Sequence, residues 1–207
     1  VTLLPALVAF TAAAALLTVT PGLDTALVLR TAAVEGPRRA LLAALGICLG
    51  CLGWGAIVAA GLGALLAASH LAYTLLRYAG AAYLLWLGVQ LLARSRQALA
   101  DPALASPAAG SAWLWRGFLT NMLNPKVGVF YVSFLPQFIP PDANVAALTL
   151  LLAGIHAALG LAWFLLLITA TRPLAAALRR PRLVRSLDRL TGGVFLLFAA
   201  RLALDPR

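Results

Sequence analysis

Apolar residues fall into six long blocks separated by shorter segments that carry most of the arginines. They extend approximately from Leu3 to Val34, Leu41 to Ala68, Ala72 to Ala93, Gly117 to Ile139, Val145 to Ala170 and Leu190 to Leu204. A membrane-spanning helix needs about 20 predominantly apolar residues, and all but the last block meet that length. Two blocks are interrupted by proline: the first at Pro21 and the fourth at Pro125. The pattern predicts an all-α integral membrane protein of six transmembrane helices whose first and fourth spans are broken.

Between the third and fourth blocks, Gln97 to Ser111 is rich in Ala, Pro, Ser and Gly, as a flexible linker is. It divides the chain into a three-helix half over residues 1–96, a cytoplasmic linker over 97–111 and a second three-helix half over 112–207. Because three is odd, a structural repeat of the halves must have opposite orientations in the bilayer. Each half also opens with its broken span, and paired interruptions at corresponding positions point to a transporter's binding site.

Composition agrees with a membrane setting. With 63% hydrophobic and 11% charged residues, 207 residues lack the polar surface to cover a soluble globule. The net charge of +10 does not indicate nucleic acid, because the arginines lie mostly between apolar blocks and are not interleaved with aromatics on a polar face. Alternating the loops places Arg38, Arg39, Arg94, Arg96, Arg116, Arg172, Arg179, Arg180, Arg182, Arg185 and Arg189 on one side, against Arg77, Arg201 and Arg207 on the other. The positive-inside rule then predicts that both termini are extracytoplasmic. The first block has no basic segment before it and no small-residue cleavage site, so it reads as a retained span. The arginines from Arg179 to Arg189 are expected to face anionic lipid headgroups, with a solvated loop as the alternative.

The breaks carry the candidate chemistry. Thr20-Pro21-Gly22-Leu23-Asp24 places one carboxylate just past the first break, and Asn124-Pro125-Lys126 places the chain's only lysine just past the second. A charge at the middle of a membrane helix costs about 2.5–3.5 kcal/mol on insertion scales, so such groups face protein or water and have a task. Proline has no N–H to donate; Pro21 therefore frees the carbonyl of Leu17 and Pro125 that of Asn121. Thr20 and Asn124 precede the prolines as N-caps precede a first-turn proline, which predicts two half-helices starting inside the bilayer. Their N-termini would attract an anion. At such an N-terminus Asp24 is favoured and Lys126 is not, so the position of Lys126 needs another explanation: pairing with Asp24, structural or functional, pairing with a bound carboxylate, or snorkelling towards the cytoplasmic face.

Other residues read more plainly. Cys48 and Cys51 form a Cys-x-x-Cys pair inside a Gly-rich apolar block, where cysteine packs as a small hydrophobe. His156 is suited to a proton relay or to a hydrogen bond with a neighbouring helix. Arg30 is within reach of headgroups and of Glu35. Gly46, Gly50, Gly53, Gly61, Gly80, Gly88, Gly154 and Gly160 suit close helix packing or a homo-oligomer seam. Tyr73, Tyr78, Tyr83, Trp86, Trp113 and Trp115 read as interfacial anchors or core.

Thr20-Pro21-Gly22-Leu23-Asp24, Gly36-Pro37-Arg38-Arg39-Ala40 and Ala44-Leu45-Gly46-Ile47 together resemble the opening of the lysine/homoserine exporter (LysE/RhtB) family. Residues 79–88, the run from Gly117 through Asn121, Asn124 and Pro125 to Lys126, and residues 134–138 resemble its third and fourth spans. The resemblance covers nearly the whole chain. It implies a six-span exporter of amino acids or their derivatives in the bacterial inner membrane, driven by proton exchange. The family's usual Pro-Gly-Pro is here Pro21-Gly22-Leu23, which should soften the first break and withholds any transfer of substrate preference.

The sequence thus reads as a secondary transporter moving a zwitterionic amino acid outwards by alternating access. Its expected substrate-binding residues are Thr20, Pro21, Gly22, Asp24, Asn121, Asn124, Pro125 and Lys126, with Asp24 and Lys126 coupling protons. No cofactor is expected. A cation or heavy-metal exporter would need a cluster of His, Cys and carboxylate ligands, for which only Asp24, His156, Cys48 and Cys51 are available. An intramembrane enzyme would need a nucleophile with its base or a metal motif, and neither pattern occurs. A purely structural subunit would not require two charges at two helix breaks.

Overall fold

A computed structural model describes residues 3–68, 110–140, 143–170 and 181–204, together with helical positions 78, 81, 82, 85, 86, 89, 92 and 93. Much of the third expected span and most of the 97–111 linker lie outside the described residues, as do Gly80, Gly88, Tyr73, Tyr83 and the arginines at 77, 94, 96, 172, 179, 180 and 207. Among the described residues the fold is all-helical, with no strand.

The first expected span is two helices, α1 (Leu3–Val19) and α2 (Leu23–Val34), bent by 51° at the Thr20-Pro21-Gly22 break. Gly36, at φ +90°, ends the turn after α2 in the left-handed region that glycine enters without a Cβ penalty. Pro37 then opens the long α3 (Pro37–Ala68) at a position where its missing N–H is not needed. Glu35, one residue before that turn, pairs with Arg39 at 2.6 Å, which settles the partner of Glu35 as Arg39 and not Arg30.

The fourth span departs from the expected bounds. Its first helix, α4 (Gly110–Met122), begins well before Gly117, so Trp113, Trp115 and Arg116 are helical rather than loop residues. Trp113 is completely buried and carries the Arg116 guanidinium 4.7 Å from its ring centroid, whereas Trp115 is exposed. This position desolvates the indole and lets the cation use the ring's negative face. After the break come α5 (Pro125–Val129), a π-helical turn (Phe130–Phe134) and a 3-10 turn (Leu135–Phe138). Pro136 has no N–H and crowds the carbonyl four residues back; the ladder slips ahead of it, with Leu135 N–H bonding to Phe130 O.

α6 (Val145–Thr169) is capped by Asn144, whose side chain accepts from Ala147 N–H at 3.0 Å. The last helix, α7 (Pro181–Leu204), is longer than its apolar block because it includes the arginine-rich stretch. Arg182, Arg185 and Arg189 are exposed on its first turns, so the solvated-loop alternative for this basic segment does not hold from Pro181 onwards, where it is helical. The i, i+3, i+7 spacing puts the three on one helical face.

α3 and α6 are long and apolar enough to cross a membrane, and the bent α1–α2 pair qualifies as a third span. α3 packs extensively on α4 and α6, while α1 lies against α6 and the 3-10 turn. Gly46 and Gly117 make the α3–α4 approach possible: a Cβ at Gly46 would fall on the Leu114 carbonyl, and one at Gly117 on the Ala43 carbonyl. Along α1, Ala6, Phe10, Ala14 and Leu17 recur at helical spacing and face Phe130, Phe134, Phe138 and Leu152 in one buried cluster. Elements of the two expected halves therefore share a core.

Candidate polar site at the helix breaks

The two breaks meet. Thr20, Gly22, Asp24, Asn121, Asn124 and Lys126 line one cavity, whose empty space is about 440 Å³ with its opening to the outside included. Pro21 and Pro125 act through the backbone, by withholding N–H groups.

At the second break the local expectation holds. Asn124 is the N-cap of α5, its side chain accepting from Lys126 N–H at 3.1 Å, and Pro125 occupies the first turn. The Asn121 carbonyl freed by Pro125 receives Asn124 N–H at 3.0 Å. At the first break the cap differs from expectation. α2 starts at Leu23 with Gly22 as its cap, in extended conformation, and Thr20 instead donates its hydroxyl to Leu16 O at 2.7 Å. Pro21 does not start the helix, because the extended Gly22 intervenes. Leu23 holds the first helical position, and Gly22 has no side chain to satisfy the first-turn N–H groups of α2. The bend of 51° shows that Pro21 and Gly22 suffice for a sharp break without a second proline.

Lys126 is buried, and its Nζ donates to Leu17 O and Thr20 O, each at 2.9 Å. Leu17 O is the acceptor that Pro21 releases, and both carbonyls lie at the C-terminal end of α1. A cation there satisfies orphan acceptors and meets the negative end of the helix dipole. The position that is unfavourable for α5 is therefore favourable for α1, a relation only the fold reveals. Lys126 also lies within electrostatic reach of Asp24.

Asp24, in the first turn of α2, accepts from Asn121 Nδ2 at 2.9 Å. The same amide approaches Cys51 Sγ at 3.6 Å. Asn121 is fully buried and its place is fixed by Gly50: a Cβ there would come within 2.6 Å of Asn121 Oδ1. Two acceptors, Asp24 Oδ1 and Asn121 Oδ1, are buried without a hydrogen bond. Such atoms are uncommon in native proteins and call for an explanation.

Cys48, Cys51 and His156 also line the cavity. The cysteines are free thiols, and Cys48 Sγ donates to Ala157 O at 3.4 Å. Their i, i+3 spacing on α3 was readable in the sequence, but not the facing of that side towards Asn121. His156 Nδ1 pairs with the Tyr131 hydroxyl at 3.1 Å, the neighbouring-helix bond of the two roles considered for it. Tyr131, on the π-turn, is a site neighbour that sequence reasoning missed. Nothing in its apolar surroundings marked it, since the π-turn alters which side chains face inwards. Among the described residues no group of His, Cys, Asp and Glu is arranged to hold a metal ion.

The model of the LysE type translocator family matches residues 15–206. The chain belongs to that family. It is a translocator of the membrane and not an enzyme. It is 31% identical to the homoserine/homoserine lactone efflux protein of Salmonella typhimurium over 188 residues, 91% of each chain. It is 34% identical to the leucine efflux protein of Klebsiella pneumoniae, over 88% of this chain and 87% of that one. With the threonine efflux protein of Escherichia coli the identity is 30%, over 89% and 91%. No solved structure matches the chain.

Proposed function

We propose that this LysE-family protein exports an amino acid or a close derivative across the bacterial inner membrane by proton antiport and alternating access. The efflux roles named for its relatives supply the class. The observation that carries the site assignment is the pair of unpaired acceptors, Asp24 Oδ1 and Asn121 Oδ1, on residues lining the cavity where the breaks meet. An α-ammonium offers three N–H donors with a positive charge and matches both. The substrate carboxylate is assigned to the N-terminus of α2, beyond Gly22, with the Lys126 charge and the Asn124 side chain nearby. Thr20, Pro21 and Pro125 shape the breaks. Asp24 exchanges the ammonium for a proton in the return step, and Lys126 couples to it electrostatically.

Six spans in two inverted halves, 1–96 and 112–207 about the 97–111 linker, would let one half rock against the other around this site. Both termini are placed outside the cytoplasm, with the exposed arginines of α7 against anionic lipid.

Counterflow in proteoliposomes, run with a panel of amino acids at two pH values, tests the proposal. The wild type should exchange at least one amino acid with a pH-dependent rate. Asp24→Asn should lower exchange by at least about tenfold and remove its pH dependence, because a desolvated charge pairing is lost. Lys126→Ala should also abolish exchange. Wild-type rates with normal pH dependence in either variant would overturn the assignment.

A further inference from the structure

Once an ammonium and a carboxylate are assigned to Asp24 and to the Lys126 region, the remaining lining is informative. Among the described residues it contains no other Asp, Glu, Lys or Arg. Leu17, Ile47, Val127 and Phe164 contribute apolar surface there, joined by the Cys48 and Cys51 thiols. His156 already has its Nδ1 engaged by Tyr131. A substrate with an ionised side chain would bring a charge with no counter-charge into a desolvated cavity, a heavy cost.

One wall is bare. His156, Gly160 and Phe164 recur at i, i+4 and i+8 along α6, and all three line the cavity. Gly160 is buried, yet among the described residues a Cβ there would meet only the Phe164 ring edge, at 3.7 Å, an ordinary contact. Close helix approach therefore does not require this glycine, unlike Gly50, where an added Cβ would collide with Asn121. The missing side chain leaves space in the cavity beside Phe164.

We infer that the site takes neutral amino acids with an apolar side chain, and that Gly160 is the specificity-determining position that sets the side-chain size accepted. The inference rests on the exporter reading and adds the substrate class. An added methyl or isopropyl group at residue 160 occupies the room that the substrate side chain needs. Discrimination by one methylene in an apolar pocket is about 10–200-fold, so the effect should be large for leucine and small for alanine.

The test is counterflow of alanine, leucine, lysine and glutamate by wild type, Gly160→Ala and Gly160→Val. Wild type should exchange leucine at least about tenfold faster than lysine or glutamate; Gly160→Val should reverse the leucine-to-alanine preference by at least about tenfold, with Gly160→Ala between. A helical Gly→Ala change favours the folded helix, so the alanine variant provides the reading if the valine variant is not recovered as a monodisperse protein. A preference for lysine or glutamate in the wild type overturns the inference while leaving the exporter reading intact. An unchanged leucine-to-alanine ratio in Gly160→Ala and in any recovered Gly160→Val overturns it likewise. A wild type that exchanges no amino acid overturns both.

Discussion

Asn121 is the residue on which the two breaks depend most directly. It lies in α4, yet its amide reaches Asp24 in α2 and Cys51 in α3. Asn121→Leu would remove the donor and leave Asp24 Oδ2, partly buried at the cavity wall, without its hydrogen bond from residue 121. Stranding a buried acceptor costs about 1–3 kcal/mol, more for a charged one. The variant should therefore unfold at lower temperature in detergent and lose exchange; unchanged stability would mean that Asp24 finds a compensating donor. Asp24, Asn121 and Lys126 could each be picked from the sequence as a polar group in an apolar setting. Their partners could not, because Lys126 is paired with carbonyls 106 and 109 positions away. Backbone acceptors leave no signature in residue identity.

Glycines behave differently according to the element that faces them. The sequence offers Gly46, Gly61 and Gly154 as equivalent packing positions, but the fold separates them. Gly46 lies against the α4 backbone, whereas a Cβ at Gly61 or Gly154 would meet nothing within 4 Å among the described residues. Gly46→Ala should force α3 from α4 and cost about 1–3 kcal/mol or more as overpacking. Gly61→Ala and Gly154→Ala should be neutral or stabilising by up to about 1 kcal/mol, since alanine is the better helix former. Thermal unfolding of the three purified variants checks the contrast, and equal losses would refute it. Helix ends showed the same division between local and distant causes. The Asn124 and Asn144 caps act within one turn and were legible or consistent with local rules. The early start of α4 and of α7 depends on what covers Trp113 and on the setting of Arg182, Arg185 and Arg189, which apolar-block counting does not register.

For the molecule as a whole, arginine placement predicts that both termini lie outside the cytoplasm. Alkaline phosphatase fused after Arg207 should be active in intact bacteria, while a fusion truncated in the 97–111 linker should be inactive; the opposite result would invert the topology. The chain by itself determined membrane residence, the positions of the two breaks and the residue types gathered there, because hydrophobic length, proline and isolated charge act locally. Tertiary structure decided that the breaks share one cavity and that Lys126 caps α1 rather than only facing Asp24. It also decided that Cys48, Cys51, His156 and Gly160 belong to the same lining. These relations depend on which helix faces cross, and close approach at Gly46 and Gly117 sets that crossing for α3 and α4. A glycine shows that approach is permitted, but only the packed neighbour shows where it occurs.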